Sequence, residues 1–134
     1  MWLTLNQIEA EALLTHHQLM GSSCEINAPQ CPEAYAIALL IENVLLKLGK
    51  HDTALARRSG TTSRVAAFPV TPVDTTAAGD AFNGAFAVAL AESKMPVEAA
   101  RWASMAAALS VSKHGAQPSL PYRQKVEEYL RDNS

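Results

Sequence analysis

The chain has little of what marks several protein classes. Among its 134 residues there are two cysteines, Cys24 and Cys31, in a connection containing Ser, Pro and Asn. A disulfide scaffold needs more cysteines and an exporting context. Neither cysteine joins His16, His17, His51 or His114 in a CxxC or HxxxH-type spacing, so no zinc site is expected. The formal net charge is −2, and no basic run with interleaved aromatics occurs. Nothing electrostatic therefore points to nucleic acid or an anionic membrane. The longest apolar stretch, "AIALLI" before Glu42, is far too short to span a bilayer. The N-terminus "MWLTLNQIEAEALL" lacks a cationic region and carries acids early, unlike a secretory signal. A cytoplasmic protein is expected.

What is present is an ordinary globular composition, 49% hydrophobic and 18% charged. The length suits one domain over 1–134, and no repeat, linker or boundary interrupts it. "WLTL" reads as a short strand. "NQIEAEALLTHH" reads as a helix with Ile8, Ala12 and Leu13 on one face. "PEAYAIALLIEN" reads as a helix with Pro32 in its first turn. "VLLKLG" is a continuous apolar run ending in glycine, the pattern of a strand buried on both faces. "TALARR" and "SRVAAFPV" flank "SGTT" as an antiparallel hairpin.

A long helix is expected from Gly79, with Phe82, Ala85, Phe86, Ala89 and Leu90 at helical spacing, ending at "ESKMP". "VEAARWASMAAALSVS" reads as a second helix, alanine-rich enough to imply close packing on another. After the loop "KHGAQPSLP", Pro121 opens a final amphipathic helix. Alternating strands and helices favour an α/β layered fold with a mainly parallel sheet.

The chemistry concentrates in "DTTAAGDAF", residues 74–82. Gly79 lacks a Cβ, so the backbone there can turn sharply and approach a ligand closely. If a helix starts here, the amides around Ala77, Ala78, Gly79 and Asp80 have no partner within it. They would form an anion site suited to a phosphoryl group. Asp80 at its rim could accept a proton from an attacking hydroxyl. The plainer alternative is that Asp and Thr near a helix start are caps, worth about 1 kcal/mol. Spacing leaves both open.

"DTTAAGDAFNGAFAVAL" resembles the C-terminal signature of the ribokinase-like (PfkB) sugar kinases, close to DTxGAGD-x-F-x-G. "AAALSVSKHGAQPSLP" is similar to the G-A-Q-x-S segment found downstream of it in that family's ribose-using branch. The resemblance is strong from about Phe68 to Leu130, and weaker but in order from Leu3 to Gly49. It implies the C-terminal nucleotide-binding half of a ribokinase-like fold, without the N-terminal half and lid.

Residue by residue, the resemblance implies ATP-dependent phosphorylation of a pentose, D-ribose to ribose 5-phosphate. Asp80 would be the catalytic base, and Ala77, Ala78 and Gly79 the anion hole for the γ-phosphate. Asp74 and Thr76 would help hold an activating K+, with Ser110, Lys113, Gly115 and Ser119 as the remaining ligands, several through carbonyls. Asn6 and Glu9 match an N-x-x-E element near the phosphates and Mg2+. The same spacing is a capping box, and the two roles are compatible. Lys47, Leu48 and Gly49 match the strand end over which ATP lies. Ser104 matches a position beside the nucleotide base, or is a helix residue permitting close packing.

Three departures from the family stand out. Asp52 in "LGKHDT" replaces a glycine that admits the nucleotide, and its charge is expected to weaken ATP binding. Ala78 replaces the motif's usual glycine, a minor change. The chain also starts at the equivalent of the family's second half, and members are about twice as long. Their other half supplies most sugar contacts. A partner is therefore expected, either that half or, preferably, another copy of this chain. A non-catalytic module binding nucleotide and cation, and another sugar or nucleoside kinase of the family, are the alternatives.

Overall fold

A computed structural model of the protein describes residues 1–19, 41–48, 52–115 and 117–133. Both cysteines, Gly49 and most of the helix expected over "PEAYAIALLIEN" lie outside these residues; its last three positions are described and are not helical, Ile41 and Glu42 forming a bend and Asn43 opening a strand. Two compact units emerge, Met1–Ala66 and Ala67–Ser134, each taken by itself.

The first unit is built from strand β1 (Leu3–Asn6), helix α1 (Gln7–Leu19) and strands β2 (Asn43–Lys47), β3 (Asp52–Arg57) and β4 (Thr62–Ala66). The strands form one sheet in the order β1-β2-β3-β4. β1 pairs parallel with β2, while β2–β3 and β3–β4 are antiparallel. The α/β class stands, but the sheet is mixed rather than mainly parallel. Connection length explains this, because residues 48–51 are too few for the crossover that a parallel β3 would need.

Asn6 and Glu9 start α1 by capping each other. The Asn6 amide donates to Glu9 Oε2 at 2.9 Å, and the Glu9 amide donates to Asn6 Oδ1 at 2.8 Å. That start turns Ala10, buried, and Leu13, half-buried, toward the core. Ile8, expected on the inner face, is 78% exposed, and Ala12 is exposed as well. The stripe therefore follows 10 and 13, not 8 and 12.

Ala10, Val44, Leu46, Ala54 and Ala56 form the core, flanked by Leu3, Leu5, Leu13, Ile41 and Leu48. Leu45 and Leu55 point to the other side of the sheet and are buried too. β2 thus has the two-sided burial its apolar run implies. The expected hairpin forms between β3 and β4. Gly60 at φ 92° closes it, with its amide on the Arg57 carbonyl at 2.9 Å.

The second unit holds helices α2 (Ala78–Ala91), α3 (Pro96–Val111) and α4 (Arg123–Asp132), with a 3-10 turn at Gln117–Ser119. α2 buries Ala81, Phe82, Phe86 and Ala89, at the spacing the sequence shows, and it packs on α3. Alanines 99, 100, 103, 106 and 108 on α3 are buried and permit close approach. α4 begins two residues after Pro121, with Tyr122 as its N-cap. It buries one side chain, Val126. No described helix is long and apolar enough to cross a membrane.

α2 ends in a Schellman motif: the Ser93 amide bonds the Leu90 carbonyl at 2.9 Å and the Lys94 amide bonds Ala89 at 3.0 Å. Ser93 takes the left-handed conformation, φ 63°, that normally falls to glycine. Ser93→Gly should therefore raise the unfolding free energy by roughly 0.5–1 kcal/mol, read from the urea midpoint at constant slope. A midpoint that stays put or falls would mean Ser93 carries no strain.

Candidate functional site

Residues 73–80 are placed by the end of α3. The Val111 carbonyl accepts two amides, from Val73 at 2.7 Å and Asp74 at 3.1 Å. The Asp74 carboxylate then organises the turn that leads into α2. Its Oδ1 accepts the Thr76 amide at 2.9 Å and the Thr76 hydroxyl at 2.6 Å. Its Oδ2 accepts the Gly115 amide at 3.0 Å, across 41 positions of sequence. Gly115 reaches it at φ 88°, where any side chain would be strained. The Thr76 hydroxyl and amide, then the Gly115 amide, hold the Asp74 carboxyl down from 3.8 to about 2, with a smaller contribution from His114.

The turn this carboxylate braces delivers the start of α2. The Ala78 amide bonds the Thr75 carbonyl at 3.2 Å, and the N-cap is Ala77, which offers no side-chain cap. The capping alternative for this stretch is thus not realised: Asp74 braces a turn, and Asp80 lies inside the first helical turn. Among the described residues the Gly79 and Asp80 amides have no backbone acceptor. The Asp80 side chain is exposed, and no described residue bonds its carboxylate.

The sharp bend expected at Gly79 lies earlier. Gly79 is already helical, and the positive-φ glycines among the described residues are Gly60 and Gly115. The turn sits at Thr76–Ala77, where hydrogen bonds to Asp74 and Thr75 supply what glycine flexibility was expected to supply.

The other residues singled out fall into separate groups. In this second unit Ser110 and Ser119 are both 1% exposed. The Ser110 hydroxyl donates back to the Ala107 carbonyl at 2.8 Å, and Lys113 is exposed. Ser104 is half-buried on α3. In the first unit, Asn6 and Lys47 stand opposite each other at the carboxyl ends of parallel β1 and β2, and Leu48 comes next. Ligand sites of α/β sheets form at such strand ends. Glu9 lies in the first turn of α1. Asp52 opens β3 and pairs with Arg64 Nε at 3.0 Å, a partner its neighbours in sequence gave no sign of.

The chain matches the pattern of the family described as "pfkB family carbohydrate kinase" over residues 1–123. It is 39% identical over 128 residues to a ribokinase of Haemophilus influenzae, covering 96% of this chain and 40% of that protein. It is also similar to the solved ribokinase of Thermotoga maritima, at TM-score 0.79 and 41% identity, covering 97% of this chain and 42% of that one. The ribokinase of Arabidopsis thaliana, solved with ribose and ATP, matches at TM-score 0.79 and 34% identity, covering 97% of this chain and 40% of that one. The chain thus spans about two fifths of the length of these relatives.

The depressed Asp74 carboxyl makes an acid-stability prediction. A carboxylate held at about 2 against 3.8 when unfolded contributes stability that is complete above the unfolded value. This contribution is lost as pH falls from 3.8 through about 2. Asp74→Asn should be less stable than the parent at neutral pH and lose less on acidification, in denaturation curves taken from neutral pH down to about 2. Parallel losses in the two proteins would remove Asp74 from this role.

Proposed function

The chain belongs to the pfkB family of carbohydrate kinases, and from that premise we propose that it is the C-terminal, nucleotide-binding half of a ribokinase. The reaction is transfer of the ATP γ-phosphoryl group to the primary hydroxyl of a pentose, D-ribose giving ribose 5-phosphate. The hydroxyl oxygen bonds the γ-phosphorus as the bond to the ADP oxygen breaks. Asp80 takes the hydroxyl proton, and ADP leaves. Charge developing on the γ-phosphoryl oxygens is met by the start of α2, where Ala77 and Ala78 keep the approach small and Gly79 and Asp80 offer their amides. The observation that carries this reading is Asp80, exposed in the first turn of α2 beside amides with no described backbone acceptor.

Asn6, Lys47, Leu48, Gly49 and Ser104 are proposed to receive the nucleotide. Mg2+ usually binds through one or two carboxylates and substrate phosphates, and Glu9 fits as such a carboxylate. When bound, it would neutralise phosphate charge. Asp74, Thr76, Ser110, Lys113, Gly115 and Ser119 would hold K+. The donor types suit an alkali cation, since carboxylate, hydroxyl and carbonyl oxygens are hard ligands, and the Asp74 carboxyl among them is kept ionised. K+ would supply order and charge at the braced turn, not contact with sugar. The reaction needs no nucleic acid or membrane, and its setting would be the cytoplasm.

A second reading has its own observation, the two-fifths coverage of the relatives. On it, the chain is an interaction module that binds nucleotide and cation without turnover and has no sugar site. Calorimetry with ATP-Mg and K+, then ribose, separates the readings, since a module answers to nucleotide but not to sugar.

Two substitutions test the assignment. With a complementing ribokinase segment added, Asp80→Ala should lower turnover by about 10²–10⁴-fold and leave ATP binding intact. Retained turnover would refute the base. Asp52→Gly should tighten ATP binding, because it removes a negative charge and releases Arg64. An unchanged dissociation constant would place the Asp52–Arg64 pair outside the nucleotide's reach.

A further inference from the structure

Helix α4 poses a problem of anchorage. With Val126 its one buried side chain, apolar burial fastens it only weakly. Polar contacts supplement this at both ends. At its C-terminal end, Arg101 of α3 donates to the Asn133 carbonyl at 2.9 Å. At its N-terminal end, Arg123 does more. Its guanidinium bonds Glu92, the residue that caps α2, and lies over the Trp102 ring of α3 at 5.6 Å. Lys94, placed by the Schellman turn, lies 5.3 Å from the same ring. Trp102 is 9% exposed, so these cation–π contacts are shielded on the protein side. One arginine thus joins the ends or faces of three helices.

The loop between α3 and α4 is held between two fixed points. One is the last turn of α3, whose Val111 carbonyl carries Val73 and Asp74. The other is Arg123, the first residue of α4. Between them lie Gly115, whose amide reaches Asp74, and buried Ser119. We propose that Arg123 is a positioning residue: by gripping Glu92 and the Trp102 face it sets where the loop descends, and so holds the Gly115 amide on the Asp74 carboxylate. Arg is suited to this because its planar fork bonds a carboxylate in plane while its face stacks on the indole. A lysine could hold one partner but not both in that geometry. The consequence for cation binding rests on the function proposed above, whereas the grip itself does not.

The test is amide hydrogen exchange by NMR on the intact chain, with Gly60 in the β3–β4 hairpin as the internal reference. Arg123→Ala is expected to speed exchange at Gly115 several-fold and leave Gly60 unchanged. Arg123→Lys should recover part of the protection. Glu127→Gln should change nothing at Gly115, since it removes a solvent-exposed partner at 3.6 Å. Should Arg123→Ala fail to fold, Glu92→Gln removes the ion pair while leaving the stacking, and is expected to speed Gly115 to a lesser degree. Unaltered Gly115 exchange in whichever of these two variants folds would overturn the proposal.

Thallium(I) binding, followed by its NMR signal as a probe for K+, separates the inference from the function it rests on. The parent should bind and Arg123→Ala should bind several-fold more weakly. A parent that binds no thallium while Gly115 still responds to Arg123 would sink the cation reading and keep the grip. Equal thallium affinity in parent and Arg123→Ala would overturn the grip's functional role.

Discussion

One carboxylate sets the geometry of the second unit. Asp74 accepts three hydrogen bonds, two from Thr76 and one from Gly115. These join the turn before α2 to a loop 41 residues away. Hydrogen bonds to an ionised acceptor are roughly twice as strong as neutral ones, and removing the acceptor would leave three donors to find others. The start of α2, where Asp80 stands, therefore depends on a residue that is not part of the helix. A helix N-terminus attracts anions wherever it occurs. Here it is held in register by a braced turn with no capping side chain.

The first unit places its polar residues by a different constraint, the parallel pairing of β1 and β2. That pairing brings Asn6 and Lys47 abreast at the strand ends. The short return to β3 then puts Asp52 just beyond them, with its charge shared by Arg64. The mixed sheet results from the same short return. A parallel β3 would have needed a crossover and would have carried the start of that strand to the other end of the sheet.

Much of this is legible in the sequence because the signals are local. The three-residue spacing of Asn6 and Glu9 reads as a capping box and is one. "SGTT" reads as a hairpin turn, and Gly60 closes it. Phe82, Phe86 and Ala89 read as the inner face of a helix and are buried. Illegible features are those set by distant partners. Ile8 looks like a core residue, but the cap fixes the helix rotation and leaves it outside. Gly79 looks like the bend because glycine is the usual bender, whereas the bend is made by Asp74. The Asp52–Arg64 pair and the Arg123 grip join residues 12 and 31 positions apart, and no local pattern announces either.

The double acceptance at the Val111 carbonyl ties the Asp74 segment to the last turn of α3. That turn belongs to a helix that packs on α2 and buries several alanines. Changes in methyl-sized volume at those alanines would be felt as a shift of the helix, and the carbonyl would carry it to Asp74. Inherited variation in a stretch that looks like mere filler thus has a mechanical route to the residue on which the turn depends.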